Sequence, residues 1–267
     1  MPEHFEYEID SVDCFVWCHH KFVCLDFLFN VVYTPGLYLS TKVIVMKSPP
    51  KYPSTLHWPF SETVHRDDTI SVYSDNFVGV PVVVTEKIDG GNTCLYRGEV
   101  FARSVDSPCR EGWMGMVRKH HGWKTNATRF DDFAYYGEDI FGIHSIEYEP
   151  VREQDTYHLF GVRQVSADWW CSWDAVKDAA AELDMKHAPE VFRGVFYSID
   201  DITKFFREEL GKPSFLGGER EGFVMRHEYG FTGREFKKCV CKYVRPNHVQ
   251  TDQHWRRNWQ ECKLIGD

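Results

Sequence analysis

The run Val82-Val83-Val84-Thr85 leads without a break into Glu86-Lys87-Ile88-Asp89-Gly90-Gly91-Asn92. Three consecutive β-branched residues favour a strand buried on both faces, and Asp-Gly-Gly-Asn is turn chemistry. The pattern predicts a strand over residues 80–88 that delivers Lys87 to a glycine turn, where a phosphate can approach the backbone closely. A lysine amine is a poor nucleophile at neutral pH, with a free pKa of about 10.4. Desolvation and nearby cations lower that pKa and expose the lone pair. By itself Lys-x-Asp-Gly arises by chance in many proteins as a surface lysine before a turn, so the surrounding sequence decides between the two readings.

Further elements follow from periodicity and capping. Residues 93–96 and 99–103 predict a hairpin around Arg97-Gly98, and residues 113–121 a short helix stopped by Gly122. Residues 141–148, 157–165, 221–226 and 240–244 read as strands. Ser172 caps a helix with Trp173, Val176, Ala180 and Leu183 on one face. Asp200 or Asp201 starts another, with Ile202, Phe205, Phe206 and Leu210 inward and Gly211 as its stop. Strands mixed with helices predict a mixed sheet with helices packed on it.

Composition sets limits on function. A chain of 267 residues with 43% hydrophobic and 27% charged residues is long enough for a sizeable core. The net charge of -9 argues against a basic coat for non-specific nucleic-acid binding. It leaves room for a cleft that focuses positive potential within an acidic body. Met1 to Asp10 lack a basic leader, and residues 22–33, interrupted by Asp26 and Asn30, are too short to span a bilayer, so a cytoplasmic protein without membrane contact is expected. The nine cysteines have no disulfide-framework spacing and read as reduced thiols. Cys14, Cys18, His19, His20 and Cys24 crowd together without standard zinc spacing. They fall in residues 1–45, an N-terminal extension of uncertain role ahead of a domain over 46–267. Met46, just before the proline-rich segment 48–59, is an alternative start.

Lys87-Ile88-Asp89-Gly90 followed by Asn92-Thr93 resembles motif I of the ATP-dependent RNA ligases, which belong to the covalent nucleotidyltransferase superfamily. The resemblance spans about residues 47–257 and keeps motif order. Lys51-Tyr52-Pro53-Ser54-Thr55 with His57 and Pro59 resembles the opening of stand-alone bacterial and viral members. Arg103-Ser104 stands at the post-motif arginine. Gly137-Glu138-Asp139-Ile140-Phe141 resembles motif III, and Tyr157-His158-Leu159-Phe160-Gly161-Val162 the aromatic motif after it. Glu221-Gly222-Phe223-Val224-Met225-Arg226 resembles motif IV. Cys241-Lys242-Tyr243-Val244-Arg245, continuing to His248, Thr251 and His254-Trp255, resembles motif V and its tail. Gly91, Asp139, Ile140, Gly161 and Val240 depart from the family pattern. At Val240 a lysine is common, and Lys237 or Lys238 is expected to replace its charge.

The resemblance implies an α+β fold, an ATP-grasp-like nucleotidyltransferase domain with antiparallel sheets flanked by helices around a nucleotide cleft. Residues 87–92 would form one wall, and residues 221–223 with Lys242 the other. It implies ATP and Mg2+ (or Mn2+) as cofactors, and RNA with 5′-phosphate and 3′-hydroxyl ends as substrate. An end-healing kinase–phosphatase is the partner that it suggests. Lys87 would become adenylylated. Glu86, Asn92, Arg103, Glu138, Phe160, Glu221, Phe223 and Lys242 would hold the nucleotide, Glu86 mainly through backbone groups and Phe160 by stacking. Asp89, Glu138 and Glu221 would surround the metal through its waters. Arg245, His248, Thr251 and His254 would meet RNA, with Trp255, Arg256 and Arg257 in the same tail.

Two other readings stay open. A capping enzyme or DNA ligase adenylation domain would carry an OB-fold after motif V, for which the residues following Lys242 are too few. A degenerate ligase-fold protein would bind nucleotide or RNA ends without catalysis.

Overall fold

The computed structural model describes residues 14–18, 21–25, 48–61, 69–246 and 259–266. The chain divides into two units, Met1–Val45 and Met46–Asp267. In the first, β1 (Cys14–Cys18) and β2 (Lys21–Leu25) pair as an antiparallel hairpin. His19 and His20 of the cysteine–histidine group lie outside the described residues.

The second unit opens with β3 (Leu56–His57), β4 (Pro81–Lys87), β5 (Gly91–Tyr96) and β6 (Glu99–Ala102). Helix α1 (Gly115–His120) precedes β7 (Phe133–Asp139), β8 (Tyr157–Gln164) and β9 (Trp169–Trp170). Then come α2 (Trp173–Glu182), β10 (Lys186–His187), β11 (Glu190–Val195) and α3 (Ile199–Leu210). The unit closes with β12 (Gly222–His227), β13 (Phe231–Thr232), α4 (Phe236–Cys239) and β14 (Val240–Val244). Two sheets result. One has five strands in the order β11-β4-β12-β14-β3; the other has seven, running β13-β9-β8-β7-β5-β6 with β10 beside β8. Pairing is antiparallel except β14 with β3 and β10 with β8. The architecture is α+β, antiparallel sheets with few helices, as the sequence led us to expect.

Alternation along the strands decides what faces where. In the five-stranded sheet Val82, Val84, Phe223, Met225, Cys241 and Tyr243 turn to one side and pack on Ile202 and Phe206 of α3. Phe206 stacks on Phe223 at 5.6 Å and on Tyr243 at 4.9 Å between centroids. Each such fully buried side chain contributes about 1.5–3 kcal/mol. A second cluster packs Trp173, Val176 and Ala180 of α2 against Leu159 and Val162 of β8. A third brings Val240 together with Cys94, Tyr136 and Trp170 and, half-buried, Val224 and Phe160, so it joins the two sheets below their open edge.

Several expectations need correction. Residues 141–148 are a loop, not a strand, because their backbone groups are used elsewhere. Ile143 N donates to Gln260 O, Cys262 N to Phe141 O, and the amides of Ser145 and Ile146 donate to Asp89. Their apolar side chains Phe141, Ile146 and Tyr148 are buried by packing alone. The strand lies earlier, as β7. Helix α3 begins at Ile199, one or two residues sooner than Asp200 or Asp201, since the Ser198 hydroxyl accepts from Asp201 N at 3.0 Å. The Ser172 cap of α2 stands as read, accepting from Ala175 N at 3.3 Å.

Candidate active site

Strand β4 ends with Lys87 where the sheets diverge. Register places Lys87 opposite Gly222 and Glu86 opposite Phe223, so Glu221 follows directly beside Lys87. Lys87 Nζ donates to Glu221 Oε2 at 2.6 Å, with the two side chains 24% and 3% exposed. Gly222 must be glycine here: a Cβ would lie 1.9 Å from the Tyr243 carbonyl oxygen. After the turn the chain crosses to the other sheet. There Asn92 of β5 sits directly opposite Glu138 of β7. Gly90 allows that crossing, because a Cβ on it would meet the Asp139 carbonyl oxygen at 2.5 Å. Gly91 is not sterically required, since a Cβ would find its nearest atom at 3.7 Å. The walls therefore divide differently from the sequence reading. Lys87 shares its sheet with Glu221 and Lys242, while Asn92, Glu138 and Phe160 face them from the other.

Two cavities meet at this junction. One, of about 550 Å³, is lined by Phe160, Glu86, Ile88, Arg226 and Lys242. The other, of about 650 Å³, lies toward the turn Asp89–Asn92 and the segment following Arg103. Lys87, Asn92, Arg103, Glu138 and Glu221 line both. Lys237 also lines the first cavity whereas Lys238 does not line it, and the charged residue directly across the ladder from buried Val240 is Arg226.

Asp89 is held in place rather than free in the cleft. Its Oδ2 accepts from Ser145 N and Oγ, both at 2.8 Å, and from Ile146 N at 2.7 Å. Its own amide donates to the Tyr148 hydroxyl at 2.8 Å. Burial alone would raise its pKa, but Ser145 and Lys87 outweigh burial and lower it. The clamping loop is itself braced by the C-terminal segment, which bridges to it at Gly142–Glu261 and Val151–Leu264.

Burial pushes the Glu138 pKa up to about 8, against the opposing pull of Lys87 and with help from Glu221 and Asp89. Glu221 is also raised, mainly by burial. Burial pulls the Lys87 pKa down, but the charges of Glu221 and Glu138 reverse this and the net direction is up. Glu221, Glu138 and Asp89 thus favour the ammonium form of Lys87, and these three carboxyl groups are in excess of the one lysine.

That excess suits a divalent cation, and carboxylate oxygens are the hard donors that Mg2+ or Mn2+ prefers. Among the described residues no group of three His, Cys, Asp or Glu could hold a metal ion directly. Asp89, Glu138 and Glu221 therefore fit a hydrated cation held through water, not one bound by all three side chains.

A pH dependence follows. Asp139, like Glu138, has its pKa raised to about 8 by burial. An acid with a raised folded pKa keeps its proton in the folded state after the unfolded chain has lost it, so stability falls as pH rises toward that pKa. Between pH 7 and 8 the loss is about 1 kcal/mol per group, or about 2–4 °C in Tm each for a chain of this size. His121 and His158, with pKa values lowered to about 4 by burial, act in the opposite sense only below that window. Thermal melts should show the drop, and Glu138→Gln should make it shallower. A slope unchanged in that variant would rule out the assignment.

Other expected site residues are placed as follows. Glu86 turns its carboxylate away from the cleft. It accepts from Ser214 Oγ and from Phe215 N at 3.0 Å, and lies 3.4 Å from Arg220. Only its backbone is left for a ligand. Phe223 was expected at the nucleotide, but its ring is fully buried on the α3 side of the sheet. Arg245 pairs with Glu219, and its amide donates to the Glu221 carbonyl at 2.9 Å. His248, Thr251, His254, Trp255, Arg256 and Arg257 lie outside the described residues.

The sequence reading missed Tyr52, Arg226 and the loop amides that hold Asp89. Tyr52 packs edge-on against Phe160 at 5.1 Å and Trp170 at 5.5 Å. Arg226, 5% exposed, donates to the Cys171 carbonyl and to His227 O. Backbone amides carry no residue signature, so nothing in the sequence could have marked them.

The sequence pattern of the RNA ligase family matches residues 80–244. No curated protein matches the chain. Among solved structures it resembles an archaeal ATP-dependent RNA ligase, with a TM-score of 0.51 and 13% identity over 73% of this chain and 48% of that one. It also resembles a lysine-to-alanine mutant of Naegleria gruberi RNA ligase with ATP and Mn, with a TM-score of 0.51 and 17% identity over 74% and 62%. An apo mutant of the same Naegleria gruberi ligase gives a TM-score of 0.50 at 16% identity over 73% and 57%. At these identities the likeness concerns the fold. The chain spans from 48% to 62% of the length of these structures. Among the described residues no helix is long and apolar enough to cross a membrane.

Proposed function

The chain belongs to the RNA ligase family, and from that premise we propose that it is an ATP-dependent RNA ligase acting through a lysyl-AMP intermediate. The observation that carries the reading is Lys87 Nζ, held 2.6 Å from Glu221 at the meeting point of two cavities. The cavity with Phe160 and Lys242 takes ATP. Phe160 offers an aromatic face to the adenine, and Lys242 and Arg103 offer charge to the phosphates.

Lys87 Nζ attacks the α-phosphorus, the bond to pyrophosphate breaks, and the lysine proton leaves. Glu221 orients the amine along one hydrogen bond, and its raised pKa suits it to receive that proton. When bound, Mg2+ or Mn2+ held through water by Asp89, Glu138 and Glu221 supplies neutralisation of carboxylate and phosphate charge. The AMP then passes to an RNA 5′-phosphate, and a 3′-hydroxyl displaces it to seal the strand. Those two ends define the substrate, and a kinase–phosphatase that prepares them is the partner this chemistry calls for.

The test is transfer of label from ATP tagged at the α-phosphate, compared with GTP tagged likewise. Covalent, metal-dependent labelling from ATP is expected. Preferential labelling from GTP would instead indicate capping chemistry. A folded protein, freed of bound AMP, that takes label from neither would be a binder of RNA ends.

A further inference from the structure

We propose that Ser145 is a positioning residue for the cation: with the Ile146 amide it fixes the Asp89 carboxylate at the cleft, on a loop that residues 259–265 strap down. This role rests on the ligase reading, which places a hydrated cation beside Asp89. An aspartate in a turn ordinarily bonds the backbone two residues on. Asp89, which lines the 650 Å³ cavity, takes donors from 56 and 57 residues along the chain. Three of them converge on its Oδ2: Ser145 N and Oγ, both at 2.8 Å, and Ile146 N at 2.7 Å. Tyr148 of the same loop accepts from the Asp89 amide at 2.8 Å, so the loop grips backbone and side chain together. One such bond would anchor the turn. Three charge-assisted bonds to one oxygen fix the orientation of the whole planar carboxylate.

The loop is held in its turn. Ile143 N donates to Gln260 O at 2.9 Å and Cys262 N to Phe141 O at 2.8 Å. Val151 N donates to Lys263 O at 3.1 Å and Ile265 N to Val151 O at 2.9 Å. These backbone bonds bracket Ser145 on both sides, and Trp259 packs on Phe141 at 5.7 Å between ring centroids. The exposed ion pair of Lys263 with Glu147 adds little. Glu221 is steadied differently, by Lys87 Nζ. The Ser145 hydroxyl is thus a part of the Asp89 support that a side-chain change removes. Ser145 is exposed to the cavity, so alanine in its place leaves no buried void. A cation held through water depends on oxygens fixed to within about 0.5 Å. Loss of a group that hydrogen-bonds a metal-binding side chain costs about 10–100-fold in metal affinity.

The first test is Mn2+ binding to the nucleotide-free full chain, read from the electron paramagnetic resonance signal of free Mn2+. Ser145→Ala is expected to weaken binding about tenfold, and Ser145→Thr, which keeps the hydroxyl, to restore it, with melting temperatures unchanged in both. This titration needs no catalysis. Weakened binding in Ser145→Ala, beside a wild type that takes no label from ATP, would sink the ligase reading and leave the role of Ser145 standing. The second test is the metal dependence of lysyl-AMP formation at saturating ATP. In Ser145→Ala the half-saturating Mn2+ concentration is expected to rise about tenfold, while the rate at saturating Mn2+ and the KM for ATP stay near wild type. Mn2+ binding by Ser145→Ala equal to that of wild type would overturn the proposal. So would a loss that Ser145→Thr does not restore, a wild type that takes up no Mn2+, or a slower Ser145→Ala whose metal dependence has not moved.

Discussion

Lys87→Arg is expected to yield a folded protein that takes no label from ATP. Arginine keeps a positive charge against Glu221, whose carboxylate is 3% exposed. Leaving a buried charge without its partner costs about 3–5 kcal/mol, so Lys87→Ala should lose stability as well as label. The guanidinium does not deprotonate in proteins and provides no lone pair for attack on phosphorus. Intact mass after incubation with ATP and Mg2+ reads the result, with the melting temperature as the fold control. One adenylyl group on Lys87→Arg would remove Lys87 from the nucleophile's role.

The second large effect is expected at Glu221. In Glu221→Gln the neutral amide still reaches Lys87 but no longer holds its proton. The lysyl-AMP rate is expected to fall about a hundredfold, the range for loss of a positioned acid–base group. The pH profile provides the sharper reading. Glu221 is among the charges that raise the Lys87 pKa, so its removal lowers that pKa. Free amine then appears at lower pH, and the rising limb of the profile moves toward acid. A profile that falls in amplitude without moving would make Glu221 a positioning group alone.

Parts of this protein were legible residue by residue. Val82-Val83-Val84 marked β4, and Ser172 marked the start of α2, because β-branching and capping act through the nearest neighbours in the chain. Residues 141–148 misled for the converse reason. Their apolar pattern looks like a strand, but their amides are claimed by Asp89, 56 and 57 residues away, and by a segment near the C-terminus. Phe223 misled in a related way. Its place in a nucleotide-like motif said nothing about the strand face on which it would sit, and alternation along β12 turned its ring toward α3. Glu86, next to the lysine in sequence, is committed to Ser214 and Arg220 on the far side of the sheet.

The sequence by itself determined the strand that carries Lys87, the glycine turn after it and the order of motifs, since these depend on local backbone preference and residue type. Only the tertiary structure decided which sheet each motif joins and which carboxylates crowd the lysine. Those follow from strand register: Glu221 meets Lys87 because β12 pairs with β4, and Glu138 meets Asn92 because β7 pairs with β5. The raised pKa of Glu138 and the paired cavities arise from the same juxtaposition, since desolvation and charge coupling depend on distances through space.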